Sequence, residues 1–341
     1  MLLEKQITEI KTALEKCENP FFLYHDDPDG LASFVMLYHK YPKGRGMAVK
    51  SMPRITEFFG EQVLRHNADA VFVLDVAIVE QVFIDMVKVP VYWIDHHTPL
   101  ERKNVSYYNP RLVGKRENIP TPALIRQITE ADLWLASIGC IGDWYWPPFI
   151  EEFRKKYPKL LTPESKSVET SFYSPAGTLV KVFSFILKGN TSEVNKCVKI
   201  LTRIESPDEI LNQTTSRGKY LWKRYKFILE HYDELLKRAL KQKPHNGVVV
   251  FTYEQDSLSL TKDLANELII KFPNTVIVLG RKKSGEYRCS LRGSHVDLYK
   301  IVQNALDGVQ GRAGGHEHAC GASIKEADFE KFIMQLEAQA S

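Results

Sequence analysis

Three short apolar runs, each ending at an aspartate or a histidine, place the strongest constraint on the fold of this 341-residue chain. They are FFLYH at residues 21–25, AVFVLD at residues 70–75 and VPVYWID at residues 89–95. Short runs without polar alternation are typical of parallel strands, because a parallel sheet is covered on both faces. Helix-like segments separate the runs. We therefore predict an α/β domain with a parallel sheet over residues 1–150.

The remainder of the chain divides into two further segments. Residues 151–243 have a helical and charged pattern, and they end in a long amphipathic helix before Pro244. Residues 244–341 show a second, smaller α/β pattern, interrupted at 311–316, with a glycine-rich loop predicted at 314–321. The basic residues of the long helix are compatible with a nucleic-acid backbone, but a solvated face explains them equally well.

Composition limits the classes of protein that the chain can represent. The net charge is only +4, which is too small to diagnose nucleic-acid binding but permits a local basic channel. Five separated cysteines with no C-x-x-C pair argue against a zinc ribbon. No signal-peptide pattern and no apolar run of about 20 residues is present. We expect a soluble, cytoplasmic protein without a membrane partner.

Acidic and histidine side chains follow the apolar runs at positions where they would meet. In an open α/β sheet, ligands bind outside the carboxyl ends of the strands. Carboxylates and imidazoles without thiolates suit an octahedral divalent ion, with Mn²⁺ preferred and Mg²⁺ second. The acidic and histidine residues after the apolar runs are more ligands than one ion needs. We therefore predict two ions about 3.5–4 Å apart that activate water and stabilise a phosphate. The predicted residues are His25, Asp27, Asp29, Asp75, the Asp95-His96-His97 triplet and Asp143.

Each of these residues also has an ordinary structural explanation. An aspartate at the end of a strand is often a helix N-cap, and Asp29 before a glycine is compatible with a turn. A glycine-rich segment is most often a plain turn. The occurrence of all these groups in order, at the ends of predicted strands, favours the metal site.

The same residues resemble the motifs of a known family, the DHH phosphoesterase superfamily. HDDPDG at residues 25–30, Asp75, the triplet at residues 95–97 and Asp143 are similar to its four motifs. GGHEHACG at residues 314–321 is similar to the signature of the DHH-associated domain, with Cys320 in place of an alanine. The resemblance implies a metal-binding DHH domain, a helical connector and a substrate-binding DHH-associated domain, with the active site in the cleft between the two α/β domains.

The resemblance also implies a role for each residue. His25 and Asp27 would bind one ion, and Asp29, His96 and Asp143 the other, with Asp75 bridging the two. His97 would face the substrate as a catalytic residue, and Asp95 would orient the two imidazoles. The substrate-binding residues would be Arg288, Arg292, Gly314, Gly315 and His316.

The spacing in the first motif favours one branch of the superfamily. Asp27 and Asp29 follow His25 by two and four residues, and Leu31 stands where nanoRNase-like members have a second motif aspartate. This spacing resembles RecJ-like exonucleases, especially compact archaeal ones, acting on single-stranded DNA or RNA. The alternatives are a nanoRNase, or a phosphodiesterase for cyclic or linear dinucleotides, and a binding subunit of a DNA repair or replication complex. The substrate sugar, the polarity and any repair or replication partner stay open.

Overall fold

The computed structural model describes residues 1–50, 54–114, 118–162, 164–254 and 258–340. They form two compact units. Unit 1 comprises Met1–Leu187 and Ser192–Tyr225, and unit 2 comprises Lys188–Thr191 and Lys226–Ser341. Most of the predicted connector thus belongs to unit 1 by its contacts. The three-part division at residues 150 and 243, and the cleft between the α/β domains, stay predictions.

Unit 1 contains the predicted parallel sheet. Its strands are β1 (Pro20–His25), β2 (Arg45–Val49), β4 (Ala70–Leu74), β6 (Val91–Ile94) and β7 (Ser106–Tyr108). The order in the sheet is β2-β1-β4-β6-β7, and all pairs are parallel. The three apolar runs supply the three central strands, whose side chains are almost all buried. A separate parallel pair joins β3 (Arg54–Ile55) and β5 (Ile78–Val79).

Helices cover the sheet and continue through the second half of unit 1. The first six are α1 (Glu4–Lys16), α2 (Pro28–Lys40), α3 (Glu57–Arg65), α4 (Gln81–Val87), α5 (Thr121–Thr129) and α6 (Leu133–Gly142). They are followed by α7 (Ile150–Lys156), α8 (Val168–Ser171), α9 (Pro175–Ile186), α10 (Thr191–Leu201), α11 (Pro207–Leu211) and α12 (Ser216–Ala239). The part of α12 from Lys226 onward belongs to unit 2. A short 3-10 helix, Pro110–Val113, follows β7. The described part of residues 151–243 is helical and contains no strand, as predicted.

The order of the strands creates a switch point next to β1. The chain passes from β1 outward to β2, whereas β4, β6 and β7 extend from the other side of β1. Tyr24 pairs with Leu74, and Leu74 pairs with Ile94. The residues that follow these positions therefore lie in one row at the carboxyl edge of the sheet. A switch point at that edge is where open α/β sheets bind ligands.

Unit 2 contains a second five-stranded sheet of mixed direction. Its strands are β8 (Val248–Glu254), β9 (Val276–Lys283), β10 (Glu286–Arg292), β11 (Gly311–His316) and β12 (Ala319–Lys325). The order is β11-β12-β10-β9-β8, with β8 and β9 parallel and the other pairs antiparallel. The helices are α13 (Thr261–Lys271), α14 (Leu298–Asn304) and α15 (Phe329–Ala340), with a 3-10 helix at Glu326–Asp328. A core of buried side chains joins one face of this sheet to α14 and α15.

The glycine-rich loop predicted at 314–321 is wrong, because most of it belongs to two paired strands. Residues 311–316 form the edge strand β11, which makes a hairpin with β12. Three of its six residues are glycines, so it carries no alternation of apolar and polar residues. Its partner strand holds it in the sheet through backbone hydrogen bonds.

Candidate metal centre

The HDDPDG segment turns directly from β1 into α2. His25 is the last residue of β1, and Asp27 is the N-cap of α2, where one carboxylate oxygen accepts a hydrogen bond from the Gly30 amide at 3.0 Å. The other oxygen lies 2.9 Å from Nδ1 of His25. A side chain at Gly30 would meet the His25 carbonyl at 2.5 Å, so only glycine permits this turn. Asp27 is therefore a helix N-cap, which is its ordinary structural explanation, and it also contacts His25 of the predicted metal site.

Asp29 lies in the first turn of α2 and is 1% exposed. Neither of its carboxylate oxygens has a hydrogen-bond partner among the described residues. A buried carboxylate without donors is costly, since it loses its hydration without replacement. A cation in contact with these oxygens would remove that cost.

Asp75 lies at the centre of the cluster with its two oxygens facing different histidines. Oδ2 is 3.4 Å from Nδ1 of His25, and Oδ1 is 3.1 Å from Nε2 of His96. Asp75 is 1% exposed, and its φ of 59° lies in the left-handed region, which is unfavourable for a residue other than glycine. Such backbone strain is often found at functional sites.

The two histidines of the DHH triplet have different partners. His96 is buried, and its Nδ1 lies 2.8 Å from Oδ1 of Asn118. His97 has a 30% exposed side chain, and its Nδ1 lies 2.7 Å from Oδ1 of Asp95. The prediction gave both imidazoles to Asp95, whereas the structure pairs His97 with Asp95 and His96 with Asn118.

Asp143 reaches the cluster from the end of a helix. It is the C-cap of α6, and its carboxylate lies 4.0 Å from Nε2 of His96. Glycines bring α6 close to α2: a side chain at Gly139 would meet Ala32 at 2.8 Å, and one at Gly142 would meet Pro28 at 2.8 Å. The apolar run before Asp143 is therefore a buried helix that packs on α2.

The ligand atoms form groups of suitable size for metal ions, and within each group the candidate atoms lie within 4.8 Å of one another. Two groups share no residue: His25, Asp27 and Asp75 form one, and Asp29, His96 and Asp143 form the other. A third group, Asp75 with His96 and His97, overlaps both. Asp75 thus contacts a histidine of each separate group. The division of these ligands between two ions, and a bridging position for Asp75, stay predictions.

The pKa values of the cluster reflect its excess of negative charge. Burial disfavours protonation of His25, but the charge of Asp27 and contacts with Asp27 and Asp75 outweigh it and raise the pKa to about 10. Burial likewise opposes protonation of His96, whose pKa is raised to about 10 by the contact with Asp75 and the charge of Asp143. Burial and the charges of Asp75 and Asp143 raise the pKa of Asp29 well above its usual value.

Asp75 is the exception in this cluster. Burial and the charge of Asp27 favour its protonated form, but close contacts with His25 and His96 outweigh them and lower its pKa. In the absence of metal, protons on the neighbouring groups thus offset the negative charge of the carboxylates. Divalent cations would balance the same charge and displace those protons. The residues present therefore fit a divalent metal centre.

Sequence reasoning missed the polar residues that hold Asp95. Asp95 is fully buried and accepts hydrogen bonds from the Tyr107 hydroxyl at 3.2 Å and the His97 amide at 3.0 Å. Asn109 donates to the carbonyl of His97 at 2.9 Å. Tyr107 and Asn109 belong to β7 and the residue after it, the strand that was not predicted. The row Asp75, Asp95, Asn109 along the sheet edge is the signal that would have found them.

The residues predicted to bind substrate lie in unit 2. Arg288, Arg292, Gly314 and His316 share one face of the sheet, since Arg292 and His316 both pair with Ala319 in register. The opposite face carries the core residues. The Arg292 guanidinium donates to Oδ1 of Asn266 at 2.7 Å, a contact that the sequence did not suggest.

Gly314 and Gly315 lie at alternate positions of β11 and therefore on opposite faces of the sheet. Gly315 falls on the alternate position of β11, with a φ of 148°, and a side chain there would meet the Ala319 carbonyl at 2.3 Å. Gly314 has open space on its face, and it is exposed. The exposed part of this face, at β11 and β12, is thus flat and rimmed by Arg288, Arg292 and His316.

Comparison with known proteins agrees with this fold. Residues 246–341 match the family model of the DHHA1 domain. Similar structures include RecJ from Thermus thermophilus in complex with Mn²⁺, with 16% identity and a TM-score of 0.70 over 100% of this chain and 55% of that chain. An exonuclease RecJ bound to manganese has 15% identity and a TM-score of 0.64 over 100% of this chain and 95% of that chain.

A third structure is the DHH domain of a member of a family of ribosomal proteins, with 16% identity and a TM-score of 0.69 over 98% of this chain and 89% of that chain. No curated protein matches the chain. The chain spans 55% of the length of the Thermus thermophilus RecJ. At these identities the structural matches show a shared fold.

Fold and domain match together define the class of this protein as an α/β protein with a parallel sheet in unit 1 and a DHHA1 domain at residues 246–341. Residues 246–341 belong to the DHHA1 domain family, and the chain as a whole shares the fold of the RecJ structures. The predicted DHH-associated domain and the predicted α/β architecture are confirmed. None of the helices in the described residues combines the length and the apolar character needed to cross a membrane.

Proposed function

We propose that this protein hydrolyses phosphodiester bonds with two divalent cations and acts as a RecJ-like exonuclease on single-stranded nucleic acid. The observation that carries the proposal is the position of Asp75, whose two oxygens contact histidines of two separate ligand groups. A bridging carboxylate between two cations is the arrangement that phosphoryl hydrolysis uses.

Two cations would be held by the groups His25–Asp27–Asp75 and Asp29–His96–Asp143. When bound, such ions supply an activated water and neutralise charge on the phosphate. One imidazole and several carboxylates for each ion favour Mn²⁺ over Mg²⁺, because Mg²⁺ prefers oxygen ligands and retains its waters. This ligand set is therefore the reason for proposing Mn²⁺ as the metal cofactor.

His97 is the residue proposed to act on the substrate. Asp95 holds its Nδ1, so Nε2 lies on the other side of the ring, and the side chain is more exposed than that of His96. In its protonated form, His97 would donate a proton to the leaving oxygen or a hydrogen bond to the phosphate. Asp95, fixed by Tyr107 and Asn109, would hold the ring and stabilise its positive charge.

The exposed glycine-containing face of unit 2 is the proposed substrate-binding surface. Gly314 leaves room for a nucleotide to approach the backbone, and Arg288, Arg292 and His316 supply hydrogen-bond donors for phosphates. Exonuclease action, rather than cleavage of dinucleotides, is supported by the spacing of the first motif and by the structural likeness to RecJ.

A graded substrate series tests this function. End-labelled DNA and RNA oligomers of two to about thirty nucleotides, and a cyclic dinucleotide, would be incubated with Mn²⁺. The proposal predicts stepwise shortening of long single strands. Activity restricted to the shortest oligomers or to the cyclic dinucleotide would favour the dinucleotide phosphodiesterase. Binding without hydrolysis of any substrate would favour a binding subunit of a repair or replication complex.

Two variants test the site itself. Asp75→Ala and His97→Ala are expected to abolish hydrolysis while circular dichroism shows a retained fold. Asp233→Ala, an exposed residue of α12, provides the control and should retain full activity. Unchanged turnover in either site variant would refute the assignment.

A further inference from the structure

The free edge of β8 in unit 2 borders a cavity of about 400 Å³. Its lining combines the end of α12 and the following turn with the middle of the strand. The lining residues are Arg238, Lys241, Gln242, Val250, Phe251 and Thr252. Among the strands that the structure describes, β8 pairs with β9 alone and lies at the opposite end of the sheet from β11. Four strand spacings, about 19 Å, therefore separate the cavity from the glycine-containing edge.

The backbone of β8 has hydrogen-bonding groups directed to the open side. Val276 donates to the Gly247 carbonyl at 2.8 Å, which shows that the odd-numbered residues bond to β9. Val248 instead exchanges two backbone hydrogen bonds with His245, at 2.8 and 2.9 Å, on the outer side. By the alternation of a parallel strand, the N–H and C=O groups of Val250 and Thr252 face the same outer side. No described residue provides a backbone partner for them.

Two cations stand beside this edge without an acidic partner. No carboxylate among the described residues forms an ion pair with Arg238 or Lys241, and both side chains are exposed. The Arg238 guanidinium lies 5.6 Å from the centre of the Phe251 ring. The cavity thus offers positive charge, a buried aromatic ring and a strand edge in one place.

We propose that this edge binds an extended, acidic segment of a partner protein, which adds to β8 as an outer strand. An edge strand pairs readily with another polypeptide, whose N–H and C=O groups repeat at the same spacing. A nucleic-acid backbone would satisfy the two cations but lacks this alternation of donors and acceptors. The bridge between His245 and Val248 already begins the outer pairing, so the added segment would extend over residues 250–252 and flanking positions. Glutamate or aspartate in that segment would pair with Arg238 and Lys241.

A synthetic peptide tests strand addition directly. The probe is a fluorescein-labelled octapeptide of alternating valine and glutamate, and its binding to the full chain is measured by fluorescence anisotropy. The comparison peptide has the same sequence with N-methyl groups on alternate amides, which removes donors but retains charge. We expect saturable binding of the first peptide and at least about tenfold weaker binding of the second.

Variants of the protein separate the backbone from the charge contribution. Thr252→Pro removes an outward N–H, which an edge strand tolerates, and should weaken binding at least about tenfold, whereas Thr252→Val should not. The pair Arg238→Glu and Lys241→Glu should also weaken binding. The same charge change at Lys223 and Lys226, outside the cavity, is the control. Thermal unfolding verifies that each variant is folded.

Three outcomes would overturn the proposal. Equal binding of the N-methylated peptide, or no effect of Thr252→Pro, would show attraction by charge alone. Displacement of the peptide by a thymidine dodecamer, lost in the charge-reversal variant, would assign the cavity to nucleic acid. A concentration-dependent dimer in sedimentation that Thr252→Pro abolishes would assign the edge to a second copy of this chain. None of these readouts depends on hydrolysis.

Discussion

Replacing Asp29 by Asn is expected to stabilise the metal-free protein and to remove most of the stabilisation that metal provides. The Asp29 carboxylate is 1% exposed, and neither oxygen has a hydrogen-bond partner among the described residues. Burial and neighbouring charges raise its folded pKa above the ordinary value of 3.8. Above that ordinary value, the unfolded chain loses the proton more readily than the folded chain does. The carboxyl therefore costs stability, and the cost increases until pH reaches its folded pKa.

The expected size of the effect follows from the cost of an unsatisfied buried group. That cost is about 1–3 kcal/mol, so Asp29→Asn should raise the free energy of unfolding in EDTA by about that amount. In a domain of this size, each kcal/mol raises Tm by about 2–4 °C. Metal at one hundred times its Kd would add about 2.7 kcal/mol to the wild-type protein. The stability order of the two proteins should therefore reverse when Mn²⁺ is added.

Differential scanning calorimetry at pH 8 would measure this reversal, with EDTA in one series and increasing Mn²⁺ in the other. Asp233→Asn is a matched control, because it makes the same chemical change at an exposed position of α12. It should change Tm little and retain the full response to metal. A metal-free Asp29→Asn protein that is less stable than the wild type, or one with the full metal response, would refute the reasoning.

Three further predictions concern the protons of the cluster, the packing beneath it and the stability of unit 1. Mn²⁺ binding at pH 8 should release about two protons, because the pKa values of His25 and His96 are raised to about 10 without metal. Calorimetry in buffers of different ionisation enthalpy would count the released protons. Uptake of protons on metal binding would contradict this charge balance. Gly30→Ala should lower the free energy of unfolding in urea by about 1–3 kcal/mol, because the methyl group of the alanine would meet the His25 carbonyl. An unchanged midpoint of urea unfolding would contradict the turn geometry. Burial disfavours the charged form of Glu209, but hydrogen bonds from the Glu205 amide and the Thr215 hydroxyl, both at 2.7 Å, outweigh burial and lower its pKa. Its stabilisation is thus present above the ordinary pKa of 4.5 and lost as pH falls through the lower folded value. Glu209→Gln should therefore cost about 1–2 kcal/mol at pH 7 and progressively less as pH falls below 4.5, as urea unfolding over a pH series would show.

The sequence predicts the centre of unit 1 well because hydrophobic burial dominates there. The three apolar runs are typical of covered strands, and parallel pairing then brings His25, Asp75 and Asp95 to one edge. The edge strands β2 and β7 escape prediction, since they are short and partly exposed and have no continuous apolar run. Residues that these strands position, such as Asn109, are therefore not predicted either.

Contacts between distant segments are harder to predict than the ends of strands. Asn118 reaches His96 from 22 residues away, and an isolated asparagine in a loop carries no periodic signal. Asp143 was predicted to join the cluster, but its position at the end of a helix follows from the packing of Gly139 and Gly142 on α2. In unit 2, β11 consists mainly of residues that favour turns, and only its pairing with β12 makes it a strand.

The central claim is that Asp75 bridges two divalent cations, and crystals of the protein grown with Mn²⁺ test it most directly. Anomalous scattering at the manganese edge should show two peaks about 3.5–4 Å apart. One peak should lie against His25 and Asp27 and the other against His96 and Asp143, with one Asp75 oxygen on each. A single peak, or two peaks that do not share Asp75, would contradict the account.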